Sequence, residues 1–239
     1  MIAKEVVNAL KLIATEERRK VNEWFFKTGK GEYGYGDIFL GVTMPNIRKI
    51  AKKFSQEISL QELTKLIQNP IHEVRLCALI ILINKYKKED SSKIFQYYMD
   101  HLTSINNWDL VDSSAPYIVG DYLYNNPEQT KILLKLSQSE NLWIRRISIV
   151  STFTFIKNNE FSITLKIAKL LLHDDHDLIH KAVGWMLREV YKRDECLIKL
   201  FLRQNYAQIP RITLRYSIER MDKKERLLYL KGNFDVSQS

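Results

Sequence analysis

A degenerate repeat of about 35 residues constrains the fold of this chain more than any other feature. Equivalent positions recur at intervals of 36, 34, 35 and 35 residues, at Arg75, Val111, Arg145, His180 and Arg215. Each copy runs from an aliphatic position through a polar one into small and apolar residues, and a weaker copy surrounds Arg48. Helix-pair repeats have this period, and each must stack on its neighbours to bury its apolar face. A chance echo among amphipathic helices is the alternative.

The composition and the positions of turn-forming residues agree with helical repeats. Apolar residues make up 45% of the 239 residues, glycine and proline are few, and no long run alternates as a sheet strand would. Helical stripes recur at residues 60, 63, 66 and 67 and at residues 163, 167, 170 and 171, and turn signals follow at Asn69-Pro70, Asn125 to Pro127, Asn158-Asn159 and Asn205 to Pro210. We therefore predict an all-α superhelix, a solenoid of HEAT-like repeats with a concave basic groove. It would form a single domain over residues 1–239, with repeats to about residue 231 and a loose tail at 232–239.

Membrane and disulfide-based classes of protein find no support in the sequence. No stretch approaches the roughly 18 uninterrupted apolar residues of a membrane span, and the N-terminus lacks the plan of a signal peptide. The two cysteines, Cys77 and Cys196, are too few for a disulfide framework, and Cys77 lies in an apolar run typical of a core. We expect a cytoplasmic protein, and a monomer, since a capped solenoid is usually self-sufficient.

The charge balance points to a polyanionic partner. The chain has 37 Lys and Arg against 28 Asp and Glu, a formal net charge of +9. The cations expected to line the inner wall are Arg145, Arg146, Lys181, Arg188, Arg211, Arg215 and Arg220. A stripe of this kind matches the backbone of duplex nucleic acid. Arginines at one repeat position, namely Arg75, Arg145 and Arg215, are equally explained as ion pairs with acids of adjacent repeats.

The candidate site consists of four residues at matched places in the repeat, namely Trp108, Asp112, Arg146 and Trp185. Asp112, Arg146 and Lys181 each follow a repeat anchor by one residue, so we expect them side by side on successive helices. Trp108 lies one helical turn before Asp112, and Trp185 one turn after Lys181. Core packing is the commoner role of tryptophan, and it explains Trp143 better than it explains the other two.

The chemistry of these side chains suits a cationic substrate on a sugar-phosphate backbone. Indole faces attract cations and stack on sugars or bases, and a carboxylate can stabilise positive charge on a sugar and orient water. Arg146 can hold a phosphate in register. Hydrolysis of an N-glycosidic bond to a positively charged base fits all of these groups, and the base leaves neutral, so no general acid is needed.

Four stretches of the chain resemble the AlkD-like DNA alkylation-repair glycosylases. They are GEYGYGDIFLGVTMPNIRKIAKKF, INNWDLVDSSAPYIVGDYL, SENLWIRRISIVSTF and HDLIHKAVGWMLREV, and the resemblance extends from about Trp24 to Lys231. It implies a HEAT-like fold around duplex DNA and cofactor-free excision of cationic lesions such as N3-methyladenine and N7-methylguanine, without base flipping. The catalytic aspartate of the family matches Asp112, its paired tryptophans match Trp108 and Trp185, and its active-site arginine matches Arg146. The protein would then act at the nucleoid.

Two further motifs are weaker evidence for a binding site. The loop GKGEYG (29–34) has the G-x-G-x-x-G spacing, but no strand precedes it, so we read it as a turn and expect no nucleotide cofactor. Within the family resemblance, Tyr33 in this loop and Tyr35 just after it are candidates for contacting the DNA backbone. His173, His176 and His180 have a spacing that could hold a metal, yet the interleaved aspartates fit better as a capping loop, so we expect no metal site.

Three functions remain open on the sequence. The first is the glycosylase. The second is a non-catalytic helical-repeat protein that binds distorted or branched DNA with Asp112 as a structural acid, and the third is a scaffold for another protein with the tryptophans as interface anchors. Asp112 between two correctly spaced tryptophans favours the first, and the basic stripe disfavours the third.

Overall fold

The computed structural model describes residues 2–233, and within that range the fold is all-α, as the sequence predicts. No β-strand occurs there; one isolated parallel bridge joins Ile38 to Ile71. The chain divides into two compact units, residues 1–114 and residues 115–239. Within residues 2–233, no helix is long and apolar enough to cross a membrane.

Unit 1 is a set of paired helices. Its helices are α1 (Ile2–Leu12), α2 (Glu16–Phe25), α3 (Met44–Phe54), α4 (Leu60–Ile67), α5 (His72–Tyr86), α6 (Ser91–Asp100) and α7 (Trp108–Ala115), whose last residue lies in unit 2. Helix α3 packs along α5, α1 packs against α3, and α4 packs against α5. Helix α5 is buried almost all round, which explains its run of apolar residues.

Unit 2 continues the same plan. Its helices are α8 (Asp121–Asn125), α9 (Lys131–Ser137), α10 (Leu142–Ser151), α11 (Phe153–Lys157), α12 (Ser162–Leu171), α13 (Asp177–Tyr191), α14 (Glu195–Asn205), α15 (Arg211–Ser217) and α16 (Lys223–Lys231). Helix α13 packs between α10 and α15. Its contact with α15 requires a glycine, because a Cβ at Gly184 would lie 2.7 Å from the carbonyl oxygen of Thr213.

The repeat predicted from the sequence corresponds to a fixed place on successive helices. Arg75, Val111, Arg145 and His180 are each the fourth residue of their helix, on α5, α7, α10 and α13, and Arg215 is the fifth residue of α15. Helix α15 therefore starts one residue earlier, relative to its anchor, than the other four helices. The sequence period therefore reports a structural repeat rather than a chance echo.

The predicted apolar stripes are correct for α4 and partly wrong for α12. Leu63, Leu66 and Ile67 are buried as expected. On α12, however, Leu170 is 45% exposed, and Thr164 is buried instead. A short stripe of leucines leaves the rotation of a helix open by one position, which explains the error.

Helix α16 ends in a glycine cap. Gly232 ends α16 in the left-handed conformation (φ 76°), and the amide of Asn233 donates to the carbonyl of Leu228. These two residues are thus part of the helix cap rather than of a loose tail. The remainder of the predicted tail, 234–239, lies outside the described residues.

Candidate functional site

Trp108 and Asp112 share one face of α7, as their spacing predicts. The side chain of Asn107 accepts a hydrogen bond from the Trp108 amide (2.8 Å) immediately before the helix, and its carbonyl accepts from Val111. Trp108 is thereby the first residue of α7, and Asp112 follows one turn later. Both side chains are half-buried. Unit 1 therefore presents an indole and a carboxylate one turn apart on a capped helix.

The indole of Trp108 is held in place by three aromatic side chains. Its ring stacks on Phe26 (centroids 5.3 Å, planes 22° apart) and meets Phe25 edge-on at 5.7 Å. Its Nε1 donates a hydrogen bond to the hydroxyl of Tyr33 at 3.2 Å. With the ring packed on one side and the N–H bonded, few rotamers remain available to Trp108.

Tyr33 reaches Trp108 because its loop closes tightly against the end of α2. The amide of Gly34 donates to the carbonyl of Lys27 at 3.0 Å. A Cβ at Gly34 would lie 2.2 Å from the carbonyl oxygen of Phe26, so only glycine fits there. The GKGEYG loop is therefore a turn, as predicted. Tyr33 in this loop and Tyr35 just after it differ, since Tyr33 is half-buried against Trp108 while Tyr35 is 66% exposed.

A buried polar network lies beneath this aromatic cluster. His72, the first residue of α5, bonds through Nε2 to Asp109 (2.8 Å) and through Nδ1 to Asp37 (3.3 Å). Asp37 also accepts from Arg75 at 2.6 Å and from the side chain of Asn107 at 3.1 Å. These bonds tie the start of α5 and the start of α7 to the loop that carries Asp37. The residue before Trp108 and the residue after it both belong to the network.

The network fixes the charge states of its members. Burial opposes protonation of His72, but the charges of Asp109 and Asp37 and their hydrogen bonds outweigh it and raise the pKa of His72 to about 9. Burial would likewise raise the pKa of Asp37, yet the hydrogen bond from His72 and the charge of Arg75 lower that pKa to about 2. At neutral pH a buried imidazolium therefore lies between two carboxylates.

Sequence reasoning missed this network. His72, Glu73 and Arg75 stand at the head of a long apolar run, and all three are buried. Ionisable residues in the first turn of a helix that is otherwise a long apolar run were the available signal, since buried charges need partners. Glu73 has such partners: its carboxylate accepts from the backbone amides of Leu40 and Gly41.

Unit 2 carries the other predicted residues at the expected register. Arg146 and Lys181 are the fifth residues of α10 and α13, the place that Asp112 occupies on α7. Arg146 is only 5% exposed, and its guanidinium donates to the carbonyl of Leu178 at the start of α13. Trp185 follows Lys181 by one turn and is half-buried.

Trp185 belongs to an aromatic cluster that also holds a lysine. Its ring lies 5.9 Å from that of Phe153. The ammonium of Lys157 lies 4.7 Å from the centre of the Phe153 ring and 5.8 Å from that of Tyr117. Trp143, by contrast, is buried in the core, as the sequence predicts.

The other predicted cations differ in how far their charge is compensated. Arg145 forms an ion pair with Asp174 at 2.6 Å, and it also donates to the carbonyls of Ser139 and Glu140. For Arg145, as for Arg75, pairing with an acid accounts for the residue without any ligand. Arg215 is exposed and has no ion pair with a residue in the range 2–233.

Two further arginines are tied to their neighbours. Arg188 pairs with Glu189 and with Glu219. Arg211 is exposed and donates to the carbonyl of Leu230. Lys181 is half-buried.

The histidine-rich segment before α13 is a capping loop. His176 Nδ1 accepts from the amide of Leu178 at 3.1 Å, so the cap is a histidine rather than one of the predicted aspartates. His180 bonds to the carbonyl of Asp174. Over residues 2–233 no group of three or more His, Cys, Asp or Glu side chains is arranged to hold a metal ion. Cys77 is buried, and burial raises the pKa of its thiol to about 12, as fits a core residue.

Comparisons with known proteins agree with each other. Residues 6–221 match the family described as DNA alkylation repair enzyme. A predicted DNA alkylation repair enzyme from Enterococcus faecalis has a similar structure, with a TM-score of 0.70, 16% identity, and coverage of 88% of this chain and 97% of that one. AlkD2 from Streptococcus mutans has a TM-score of 0.51 at 16% identity and covers 100% of this chain and 98% of its own. No curated protein sequence matches significantly. At these identities the structural likeness supports the fold.

Proposed function

Since the chain belongs to the DNA alkylation repair enzyme family, we propose that it is a DNA glycosylase acting on cationic alkylated bases. It hydrolyses the N-glycosidic bond of N3-methyladenine and N7-methylguanine in duplex DNA, and it leaves the phosphodiester backbone intact. The observation that carries this proposal is Asp112 one helical turn from Trp108, with the indole fixed by Phe26 and Tyr33.

Asp112 has the chemistry that this reaction needs. Breaking the N-glycosidic bond develops positive charge on the deoxyribose, and a carboxylate beside the sugar stabilises that charge. The same carboxylate orients and deprotonates the attacking water, which contributes about 10²–10⁴-fold in rate. The base departs as a neutral group because it carried the positive charge, so the site needs neither a general acid nor a cofactor.

Trp108 and Trp185 contact the sugar of the lesion while the base stays in the duplex. A fixed indole offers a flat, partly apolar surface at little conformational cost, and its face attracts positive charge. The intrinsic charge of the lesion supplies much of the lability of the bond. The enzyme then selects cationic lesions because their bases leave more readily than normal bases, and the base does not have to enter a pocket.

Arg146, Lys181 and Arg215 hold the DNA backbone. The guanidinium of Arg146 is fixed by its hydrogen bond to the carbonyl of Leu178, and a fixed planar donor group is suited to a phosphate. Lys181 and Arg215 contribute further phosphate contacts, and Arg188 and Arg211 are secondary candidates because each already has a partner. For Arg145 we favour the structural role with Asp174.

The direct test is to incubate the purified protein with methylated duplex DNA and to identify the bases released. We expect free N3-methyladenine and N7-methylguanine, and abasic sites in strands that stay uncut until alkali is added. Release of no base would refute the enzyme proposal, and strand cleavage without alkali would refute the monofunctional mechanism. Duplex binding without base release would favour the non-catalytic alternative.

A further inference from the structure

A second feature of unit 1 is a basic concavity that the proposed chemistry does not use. Its volume is about 510 Å³, and it lies between α3 and the C-terminal half of α5. Five exposed cations line it, namely Arg48, Lys52, Lys53, Lys87 and Lys88. The remaining lining includes Asn84 and no acid. We call these five residues the α3–α5 basic cluster.

The five cations of the cluster lie together around one concavity without an acid among its lining residues. None of its five members forms an ion pair with a residue in the described range 2–233. The cations that do form ion pairs elsewhere include Arg19, Lys27, Lys65, Arg75, Lys85, Arg145, Arg188, Lys192 and Lys199. Five like charges around one concavity repel each other, and an anion in the concavity would relieve that repulsion.

Helix dipoles explain only part of the arrangement. Lys52 and Lys53 lie in the last turn of α3, and Lys87 caps α5, where cations are favourable. Arg48 is the fifth of the eleven residues of α3, and Lys88 lies beyond the end of α5. Stabilisation of the two helix ends therefore does not account for all five.

The position of the cluster on α5 suggests which anion it takes. Asn84 follows His72 by about 18 Å along the helix axis, and His72 belongs to the network under Trp108. Phosphates of one DNA strand are spaced by about 3.4 Å along the duplex axis, so this distance corresponds to roughly five nucleotides. If the duplex runs along α5 with its lesion at Trp108, phosphates flanking the lesion lie at this distance.

We propose that the α3–α5 basic cluster is an anchoring site for the phosphodiester backbone of duplex DNA, about five nucleotides from the lesion. This inference rests on the proposed function for the position of the lesion, but its DNA contact is measurable without any catalysis. Lys52 and Lys87, one from each side of the concavity, are the residues to change.

The first test is the salt dependence of binding to an undamaged duplex. Lys52→Gln/Lys87→Gln should lower the slope of log K against log salt concentration by about 0.9 for each phosphate that is no longer neutralised. Lys166→Gln/Lys169→Gln removes the same charge from exposed positions of α12 and should leave the slope at the wild-type value. Equal slopes for wild type and both variants, or no duplex binding at all, would overturn the proposal. If Lys52→Gln/Lys87→Gln does not fold, the variant Lys87→Gln/Lys88→Gln replaces it, and the same decrease in slope is expected.

The second test locates the contact on the DNA. Single neutral methylphosphonates are placed along each strand on both sides of one N7-methylguanine. We expect wild type to bind more weakly when the substitution lies about four to six nucleotides from the lesion on one strand, and the Lys52→Gln/Lys87→Gln variant to be insensitive to it. The same profile in both proteins would overturn the proposal, because the concavity would then bind a free anion or none. If wild type releases the base but both proteins give the same methylphosphonate profile, this inference fails and the glycosylase proposal stands. If the profiles differ but no base is released, this inference stands and the glycosylase proposal fails.

Discussion

At the scale of single residues, the reactive group and its support have different origins in the sequence. Asp112 and Trp108 follow from a four-residue spacing inside a repeat, and the structure places both on α7 as expected. The hydrogen bond from Trp108 to Tyr33 joins residues 75 positions apart. No local pattern predicts a contact over that separation. The sequence therefore indicated the side chains to which we assign the proposed chemistry, and the structure was needed to find what holds Trp108 in place.

Tyr33→Phe should lower the rate of base excision by about 2–10-fold without unfolding the protein, since a net hydrogen bond contributes about 0.5–1.5 kcal/mol. The reason is that the Trp108 N–H loses its acceptor and the indole becomes less fixed. Single-turnover excision of N7-methylguanine measures the effect. Tyr35→Phe, on the exposed tyrosine of the same loop, is the matched control. Equal rates in both variants would show that the bond does not position Trp108.

Arg145→Ala should destabilise the protein by about 3 kcal/mol, because it leaves the buried carboxylate of Asp174 without its cation. Arg215→Ala, at the equivalent repeat position but exposed, should change the free energy of unfolding by no more than about 0.5 kcal/mol. Urea unfolding followed by circular dichroism measures both. A small effect of Arg145→Ala, accompanied by weaker DNA binding, would return Arg145 to the DNA-binding residues.

At the scale of helices, the sequence predicted most of the register and little of the polar core. The repeat anchors fall at one place on one helix of each of four successive repeats, because period and apolar stripe determine which face of a helix is buried. The error at Leu170 arose where the stripe was too short to fix the rotation of α12. The buried network of Asp37, His72 and Asp109 could not be predicted, since it joins a loop to the starts of two helices.

This network predicts a pH dependence of stability. The pKa of His72 is raised from 6.5 to about 9, so its contribution is fully present below pH 6.5 and is lost as the pH rises through about 9. The pKa of Asp37 is lowered from 3.8 to about 2, so its contribution is present above pH 3.8 and is lost as the pH falls through about 2. The free energy of unfolding should therefore decline as the pH rises above about 6.5 and as it falls below about 3.8.

His72→Gln separates the alkaline part of that profile. The variant should be less stable than wild type at pH 6, and its stability should change less between pH 6.5 and pH 9. Urea midpoints at a series of pH values give the comparison. His173→Gln, in the exposed part of the loop before α13, should keep the wild-type profile. An unchanged alkaline decline in His72→Gln would show that another group causes it.

At the scale of the whole molecule, the charge of +9 is unevenly compensated. Arg75 and Arg145 are matched by acids, while the α3–α5 basic cluster and Arg215 are not. Composition alone gives the net charge but cannot tell the two kinds of cation apart, because pairing depends on contacts between distant residues. We assign the DNA backbone to the uncompensated cations and the chemistry to Asp112.

The most direct test of that assignment is the single-turnover rate of N7-methylguanine release by Asp112→Asn, measured beside its affinity for the same duplex. We predict a fall in rate of about 10²–10⁴-fold, with duplex affinity and thermal stability retained. Asp100→Asn, at an exposed position on α6, should keep the wild-type rate. Release by Asp112→Asn at the wild-type rate would contradict the central claim.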